Sequence, residues 1–207
     1  MSWYIEAGPQ HDVVLSSRIR LARNFRDFPF PARSTPEDSK KVKDRARSLF
    51  TDMIFVDIPE IPVIDRQALV ERHLISPELA AGKNSPAAFV SRDEGLSIMV
   101  NEEDHLRIQS MQAGLQLDTA LRNAVAVDEF VGSSAEYAFR PDYGYLTGCP
   151  TNLGTGMRAS VMMHLPAMTK TGVMDKTLEA CSKLGMTVRG LYGEHSEASG
   201  FIFQVSN

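Results

Sequence analysis

The stretch AAFVSRDEGLSIMV, residues 87–100, decides the predicted fold class of this chain. Two short apolar runs, residues 87–91 and 96–100, flank the polar turn Arg92-Asp93-Glu94-Gly95. A glycine-bearing turn between two such runs is typical of a β-hairpin, because glycine adopts tight-turn backbone conformations at little steric cost. The stretch therefore predicts two antiparallel strands that are neighbours in one sheet.

Further strands and helices are predicted on both sides of this hairpin. Apolar runs predict strands at residues 13–15, 136–139, 143–147, 158–165, 186–191 and 201–206, and helical spacing predicts helices at 34–50 and 117–131. Gly132 is the expected end of the second helix, and Gly185 the expected end of another that begins near Met174. Strands in adjacent pairs, interrupted by a few helices, predict an α+β fold with a mainly antiparallel sheet flanked by helices.

The composition is that of an ordinary soluble domain. The chain has 207 residues, of which 43% are hydrophobic and 23% charged. This apolar content argues against intrinsic disorder, and no apolar run approaches the roughly 18 residues of a membrane span. The first residues show no signal-peptide pattern, and two cysteines are too few for a disulfide scaffold. Length alone allows one large domain or two small ones, and we expect a cytoplasmic protein without membrane contact.

The net charge of −4 argues against a general nucleic-acid binder, which would usually be basic. It leaves room for a local anion site, because a few arginines can converge inside an acidic protein. Five arginines lie at or beside predicted strand ends and turns: Arg18, Arg20, Arg107, Arg158 and Arg189. Each alone could equally be a solvated surface charge. Arg18 and Arg20 are two residues apart, which places both on one face of a strand.

Two polar segments are candidates for chemistry. In residues 152–158, Gly154 and Gly156 would let the backbone approach an anion closely, although a simple tight turn explains them as well. Residues 101–107 contain three consecutive acids, which repel one another unless a positive group is near. The segment is either a charged turn or the source of a catalytic base, and Asp104 with His105 could be a structural pair that holds it.

Glu194 and Cys149 each leave two alternatives open. Glu194 lies in a polar, glycine-bearing loop that could be a mobile lid over a site or an exposed hairpin loop. Cys149, in Thr147-Gly148-Cys149-Pro150, could be a small buried apolar residue or a thiolate tuned by arginines. No Cys/His spacing predicts a zinc site.

Four motifs in order resemble the guanidino kinases: SSRIR at 16–20, NEEDHLR at 101–107, CPTNLGTGMR at 149–158, and residues 189–194. The third motif is long and specific, and the similarity extends from about Val13 to Asn207. The resemblance implies that residues 1–207 are one guanidino kinase catalytic domain with a glutamine synthetase-like sheet. It also implies that ATP and Mg²⁺ are used for phosphoryl transfer to a guanidinium nitrogen.

Residues 73–77, 158–166 and 192–194 are more similar to the branch of that family that phosphorylates arginine side chains in proteins. Little sequence precedes Val13, where small-molecule kinases carry a helical domain, and Gln204 stands where they usually have an acid. The expected function is thus ATP-dependent phosphorylation of protein arginine. The alternatives are a kinase for free arginine or another small guanidino compound, and an inactive adaptor that binds nucleotide or phosphoarginine.

The resemblance also implies roles for individual residues. Glu103 would be the catalytic base, Glu194 a second carboxylate on the guanidinium, Cys149 a contact to another of its nitrogens, and Glu102 would orient Mg²⁺ through water. Residues along the chain would bind the nucleotide: Ser16, Ser17, Arg18, Ile19, Arg20, His73, Arg107, Arg158, Ala159, Ser160, Val161, Met162, Arg189, Gly190, Leu191, Tyr192, Gly193 and Glu194.

The family comparison adds expectations about the rest of the protein. The catalytic domain and a further C-terminal domain are expected to continue past Asn207, so that a homodimer is possible for a longer chain. The expected partners are protein substrates with exposed arginine and, by resemblance only, a chaperone–protease machinery.

Overall fold

Eight strands form one antiparallel sheet in the computed structural model, which describes residues 2–82, 84–190 and 199–207. The strand order is β2-β3-β4-β5-β1-β8-β10-β9, and every neighbouring pair is antiparallel. Two further strands, β6 and β7, form a small separate ribbon. In chain order the strands are β1 Val14–Arg23, β2 Ile54–Asp57, β3 Ala87–Val90, β4 Leu96–Val100, β5 Leu106–Ala113, β6 Phe139–Arg140, β7 Gly144–Tyr145, β8 Met157–His164, β9 Thr187–Gly190 and β10 Ile202–Ser206.

The predicted hairpin is confirmed, and so is the antiparallel α+β class. β3 and β4 pair with Ala87 opposite Val100 and Val90 opposite Ser97. β5 was not predicted, although Leu106 and Ile108 alternate there with Arg107 and Gln109 in the period of a strand. β5 matters for function because it pairs with β1 and brings the 101–107 motif beside the 16–20 motif.

The helices in chain order are α1 Pro36–Leu49, α2 Val63–Glu71, α3 Pro77–Ala80, α4 Leu117–Ser134, α5 Pro166–Lys170 and α6 Met174–Lys183. α1 begins as its sequence predicts: the Thr35 hydroxyl accepts from the Asp38 N–H, and the Asp38 carboxylate accepts from the Thr35 N–H. Such a reciprocal cap satisfies two donors that the first helical turn leaves without partners.

The two faces of the sheet have different environments. On one face, Ile19 and Ile108 belong to the main hydrophobic core together with Val42 of α1 and with Ala120 and Ala124 of α4. On the other face, a smaller cluster around Ile75, Leu79 and Met99 packs α2 and α3 over β3 and β4. The second face of β5, β1 and β8 carries arginines instead, so we call it the arginine face.

The expectation that Gly132 ends α4 is wrong, because the helix continues to Ser134. A Cβ on Gly132 would be 3.5 Å from the Tyr137 ring, an ordinary van der Waals contact, so this glycine is an interior residue of the helix without a steric requirement there. Gly185 does end α6, since its φ of +74° is a left-handed conformation and the Met186 N–H returns to the Cys181 carbonyl. Among the described residues, no helix is long and apolar enough to span a bilayer.

Candidate active site

Strand alternation brings four of the five arginines into one cleft. Arg20 on β1 lies directly opposite Arg158 on β8, and Arg107 on β5 is opposite Ala22, two positions along β1. Arg189 on β9 faces Gln204 of β10. A cleft of about 550 Å³ is lined by Arg20, Arg107, Arg158 and Arg189, and also by Glu102, Glu103 and Cys149.

The arginine face is electrostatically unfavourable without a bound anion. Burial, reinforced by the positive charges of Arg107 and Arg158, lowers the pKa of Arg18 to about 10. Burial and the same neighbours, with Arg18, lower the pKa of Arg20 to about 9. Both groups keep their charge at neutral pH, yet like charges in a partly desolvated site repel strongly. A polyanion such as a nucleoside triphosphate would relieve that repulsion.

Glu102 fixes the orientation of Arg107. Its carboxylate pairs with the Arg107 guanidinium and also accepts the hydroxyl of Ser76, and its side chain is only 4% exposed. Ser76 in turn caps α3 by accepting the Leu79 N–H. Ser76 was missed from the sequence, where Ser76-Pro77-Glu78 carries the signal of a helix start. Glu102 is thus a structural partner of the arginine cluster.

Glu103 is the more accessible of the two glutamates. Its side chain is 42% exposed, and its carboxylate lies 3.6 Å from the second terminal nitrogen of Arg107. It belongs to the turn between β4 and β5 and lines the same cleft as the arginines. An exposed carboxylate beside a cation cluster is well placed to accept a proton from a group that reacts there.

Cys149 lies beside Glu103 because a buried carboxylate joins their two loops. One oxygen of Asp104 accepts both the Asn24 side-chain amide and the Gly148 N–H, each at 2.6 Å. Gly148 has no room for a side chain, since a Cβ there would be 2.6 Å from the Glu103 carbonyl oxygen. The Cys149 thiol is partly buried and lies 3.0 Å from the Thr151 hydroxyl.

Asp104 and His105 do hold the 101–107 turn, and both bond to the side-chain amide of Asn24. The His105 N–H donates to the Asn24 side-chain carbonyl at 2.9 Å. Its imidazole Nδ1 accepts the Phe25 N–H at 3.1 Å, so Nε2 carries the proton that is donated to the Pro29 carbonyl at 2.9 Å. Burial lowers the pKa of His105, which keeps the ring neutral. The role of His105 is therefore structural.

The glycine-bearing turn packs against protein. Gly156 has φ +64°, and a Cβ there would be 2.6 Å from the Ala22 carbonyl oxygen. The Arg23 guanidinium donates to the Thr155 carbonyl at 2.9 Å and holds the turn against the end of β1. At Gly156, the tight-turn explanation is therefore favoured over close approach to an anion.

His73 lies at the other end of the arginine face from Glu103. It has φ +57°, and its carbonyl accepts the Gln109 amide at 2.6 Å. Burial and the nearby charge of Arg18 lower the pKa of its imidazole. Arg18 itself donates to the Ser160 hydroxyl and the Gln204 amide oxygen, each at 3.3 Å.

Some predicted nucleotide residues do not join this face. The pairing register turns the side chains of Ser17, Ile19, Ala159 and Val161 to the opposite, helix-covered face. Ile19 is 2% exposed in the main core, and the Ser17 hydroxyl donates to the Gly114 carbonyl. These four side chains therefore do not line the cleft.

The other predicted residues divide into two groups. The alternation of β1 and β8 places Ser16, Ser160 and Met162 on the arginine face. Gly190 is the last residue of β9. Leu191, Tyr192, Gly193 and Glu194 lie outside the described residues, so the second carboxylate stays a prediction.

Comparisons with known proteins identify relatives. A family model described as ATP:guanido phosphotransferase, C-terminal catalytic domain, matches residues 39–207. The chain is 50% identical over 204 residues to the protein-arginine kinase of Caldanaerobacter subterraneus subsp. tengcongensis, covering 95% of this chain and 60% of that protein. It is 48% identical over 214 residues to the protein-arginine kinase of Symbiobacterium thermophilum, covering 99% and 61%. The chain thus spans about 60% of the length of these curated relatives.

Solved structures share the fold. The duplicated taurocyamine kinase from Schistosoma mansoni with bound transition state analog components has a TM-score of 0.83 and 27% identity, over 95% of this chain and 29% of that one. A lombricine kinase has a TM-score of 0.80 and 24% identity, over 96% of this chain and 60% of that one.

Proposed function

The chain belongs to the ATP:guanido phosphotransferase family, and on that premise we propose that it transfers the γ-phosphoryl group of ATP to arginine side chains of proteins. One observation carries the proposal: a single cleft is lined by Arg20, Arg107, Arg158 and Arg189 together with the carboxylate of Glu103. The names of the relatives at 50% and 48% identity support protein arginine as the acceptor.

The arginine face would bind the triphosphate. Phosphoryl transfer needs alignment and charge neutralisation more than covalent chemistry. Arginines supply both, because each planar fork can hold two phosphate oxygens at a fixed angle. Arg107 is pre-oriented by its pair with Glu102, and Arg20 and Arg158 face the same space. Little reorganisation is then needed when charge moves onto the leaving diphosphate.

Glu103 would remove the proton from the acceptor. A guanidinium nitrogen attacks the γ-phosphorus, an N–P bond forms, and the bond from that phosphorus to the bridging oxygen of ADP breaks. ADP leaves with the electron pair, and the attacking nitrogen loses one proton, which Glu103 accepts. The acceptor has a pKa above ~12 and a delocalised lone pair, so loss of the proton must accompany attack. A positioned base typically contributes about 10²–10⁴-fold.

Cys149 and Glu194 would orient the acceptor. The thiol of Cys149 lines the same cleft as Glu103 and would contact another nitrogen of the guanidinium. A second carboxylate from Glu194 would bind the other N–H edge of the planar group. Holding a planar cation on two edges fixes the direction of attack, which lowers the entropic part of the barrier.

Mg²⁺ would accompany the nucleotide. In the described part of the chain, no group of three histidine, cysteine, aspartate or glutamate side chains forms a metal site. Mg²⁺ on nucleotides is usually held by phosphate oxygens, water and one or two carboxylates. Glu102 and Glu103 both line the cleft and could supply such carboxylates. We propose that Glu102 orients the ion through water. When bound, the ion would offset phosphate charge.

The test is a comparison of acceptors with ATP labelled at the γ-phosphate. With Mg²⁺ and an arginine-rich protein, we expect an acid-labile phosphate on arginine. Glu103→Gln should lower the rate by about 10²–10⁴-fold. Glu136→Gln is the control, because its side chain is 78% exposed and does not line the cleft. If Glu103→Gln retained the full rate, the assignment of Glu103 as base would be wrong.

A kinase for a small guanidino compound is the second candidate. The structural likeness to a taurocyamine kinase favours it. A coupled ADP assay with free arginine or taurocyamine, without protein acceptor, separates the two. Fast turnover there would replace the leading proposal, and ATP binding without turnover on any acceptor would favour an adaptor.

A further inference from the structure

Trp3, the single tryptophan of the chain, lies over one end of the arginine face. Its indole packs against a cluster of Leu74, Val90 and Met111. Met111 is directly opposite Arg18 in the pairing of β5 with β1, so its side chain belongs to that face. The backbone N–H of Trp3 also donates to the Asp93 carbonyl at 3.0 Å, which attaches the N-terminal segment to the β3–β4 turn.

Trp3 shares a narrow cavity with residues predicted to bind nucleotide. The cavity has a volume of about 20 Å³. Besides Trp3 it is lined by Ser16, Arg18, His73, Met111, Ser160, Met162 and Gln204. A larger cleft of about 530 Å³ shares Arg18 and His73 with it and continues to Arg20 and Arg107. The cavity at Trp3 therefore neighbours the cleft that holds the arginines proposed to bind phosphate.

The indole N–H of Trp3 is buried and has no acceptor among the residues that the structure describes. A buried donor without an acceptor is unfavourable, and such groups in native proteins usually find a partner in protein, water or ligand. The residue that carries this donor lines a cavity together with the predicted nucleotide-site residues Ser16 and Ser160.

The strand gives the direction in which a nucleotide would extend. Ser16, Arg18 and Arg20 are alternate residues of β1, so at about 3.3 Å per residue the first and last lie about 13 Å apart along one line. The Arg20 end adjoins Glu103, where the γ-phosphate must react. The nucleoside would then lie toward Ser16, and so toward Trp3.

We propose that Trp3 is a nucleoside-recognition residue, whose indole N–H donates to an acceptor on the purine ring or the ribose of ATP. This inference rests on the proposed function, because it takes the arginine face to be the ATP site. It goes beyond that function by assigning recognition of the nucleoside to the N-terminal segment. If the Trp3 indole only packed against Leu74 and Met111, its replacement would change the affinities for ATP and for inorganic triphosphate to the same extent.

The test compares ATP with inorganic triphosphate, which has the phosphates but no nucleoside. Calorimetry should show that Trp3→Phe binds ATP about three- to tenfold more weakly, the size of one net hydrogen bond, while its triphosphate affinity is unchanged. Tyr4→Phe is the matched control, because the Tyr4 ring contacts Trp3 but is 49% exposed. We expect it to match the unmodified chain with both ligands. Indole fluorescence should change on addition of ATP and stay constant with triphosphate.

Equal ATP affinity in Trp3→Phe and the unmodified chain would overturn the inference while leaving the proposed function intact. Equal losses for ATP and triphosphate would also overturn it, since they indicate a general disturbance of the face. If the unmodified chain bound triphosphate but not ATP, both the inference and the proposed kinase function would be wrong.

Discussion

Arg20 and Arg158 are direct cross-strand partners on β1 and β8, with both side chains on the arginine face. Like charges directly opposite each other destabilise a sheet. Burial and the charges of Arg107, Arg18 and Arg158 lower the pKa of Arg20 to about 9. The sheet thus carries a local instability at the position where a polyanion would bind.

Arg20→Met should make the ligand-free protein more stable and a poorer binder of ATP. Relief of the charge repulsion is expected to raise the free energy of unfolding by about 0.5–2 kcal/mol, as at other sites that sacrifice stability for function. Loss of a charge-assisted hydrogen bond should weaken ATP binding by about 10- to 100-fold. Urea unfolding and calorimetry measure the two effects. The exposed Arg33→Met should change neither, and a destabilised Arg20→Met would contradict the argument.

Asp104→Ala should destabilise the protein and separate the Glu103 loop from the Cys149 loop. The Asn24 amide and the Gly148 N–H would both lose their acceptor, at a cost of about 1–3 kcal/mol in the free energy of unfolding. The measurement is urea unfolding followed by circular dichroism.

Asp142→Ala provides the comparison for that measurement. Its carboxylate is 57% exposed and pairs with Arg140 at the surface, so a change of about 0–1 kcal/mol is expected. Equal effects for the two aspartates would show that Asp104 is not a buried link between the loops.

The stability of the fold should decrease as pH falls below about 6.5, the ordinary pKa of histidine. Burial lowers the pKa of folded His105, so the unfolded chain binds a proton in this range that the folded chain does not. Stability contributed by the neutral ring is therefore present above the unfolded pKa and is lost as pH falls through this window. His73, whose pKa is also lowered, adds to the effect with the same sign.

His105→Gln should flatten this pH dependence when urea unfolding at pH 7.5 is compared with pH 5.5. One proton accounts for at most about 1.4 kcal/mol per pH unit. His11→Gln, at an exposed position, should leave the pH dependence as it is. An unchanged slope in His105→Gln would mean that this ring is not the sensitive group.

Arg23→Leu should be strongly destabilising. The Arg23 guanidinium donates to both carboxylate oxygens of Asp128, at 2.8 and 2.7 Å, and lies 3.5 Å from the centre of the Tyr145 ring. Removing one member of a buried pair leaves the other charge uncompensated, at about 3–5 kcal/mol. Arg26→Leu breaks a largely exposed pair with Glu136 and should cost about 0–1 kcal/mol.

The double change Arg23→Leu with Asp128→Leu separates the two causes of that loss. If the uncompensated charge dominates, the second substitution should recover much of the stability, because apolar replacements of buried pairs are often neutral or stabilising. Failure to recover any would point instead to the lost contacts of Arg23 with Tyr145 and the Thr155 carbonyl.

Local signals in the sequence predicted individual elements well. Thr35 and Asp38 form the reciprocal cap of α1, and residues 87–100 form the expected hairpin. Both depend on hydrogen bonds between residues a few positions apart, which residue type alone can specify. The error at Gly132 has a different origin, because a glycine is tolerated inside a helix and this helix continues to Ser134.

The candidate site was only partly predictable. Alternation alone places Arg18 and Arg20 on one face, but it does not say which face is open. The motif at residues 16–20 also contains Ser17 and Ile19, and their side chains lie on the opposite side of the sheet. The role of Asp104 between Asn24 and Gly148 required three segments to meet, which no local pattern indicates.

The sequence by itself determined which residues alternate, which turns form, and which family the motifs resemble. Only the tertiary structure decided that Arg20 lies opposite Arg158 and that Glu103 lies beside Cys149. The physical reason is that the register between distant strands is set by burial of the core side of the sheet, where Ile19 and Ile108 pack under α4. Once that side is buried, the alternation of side chains along each strand places the arginines on the opposite face.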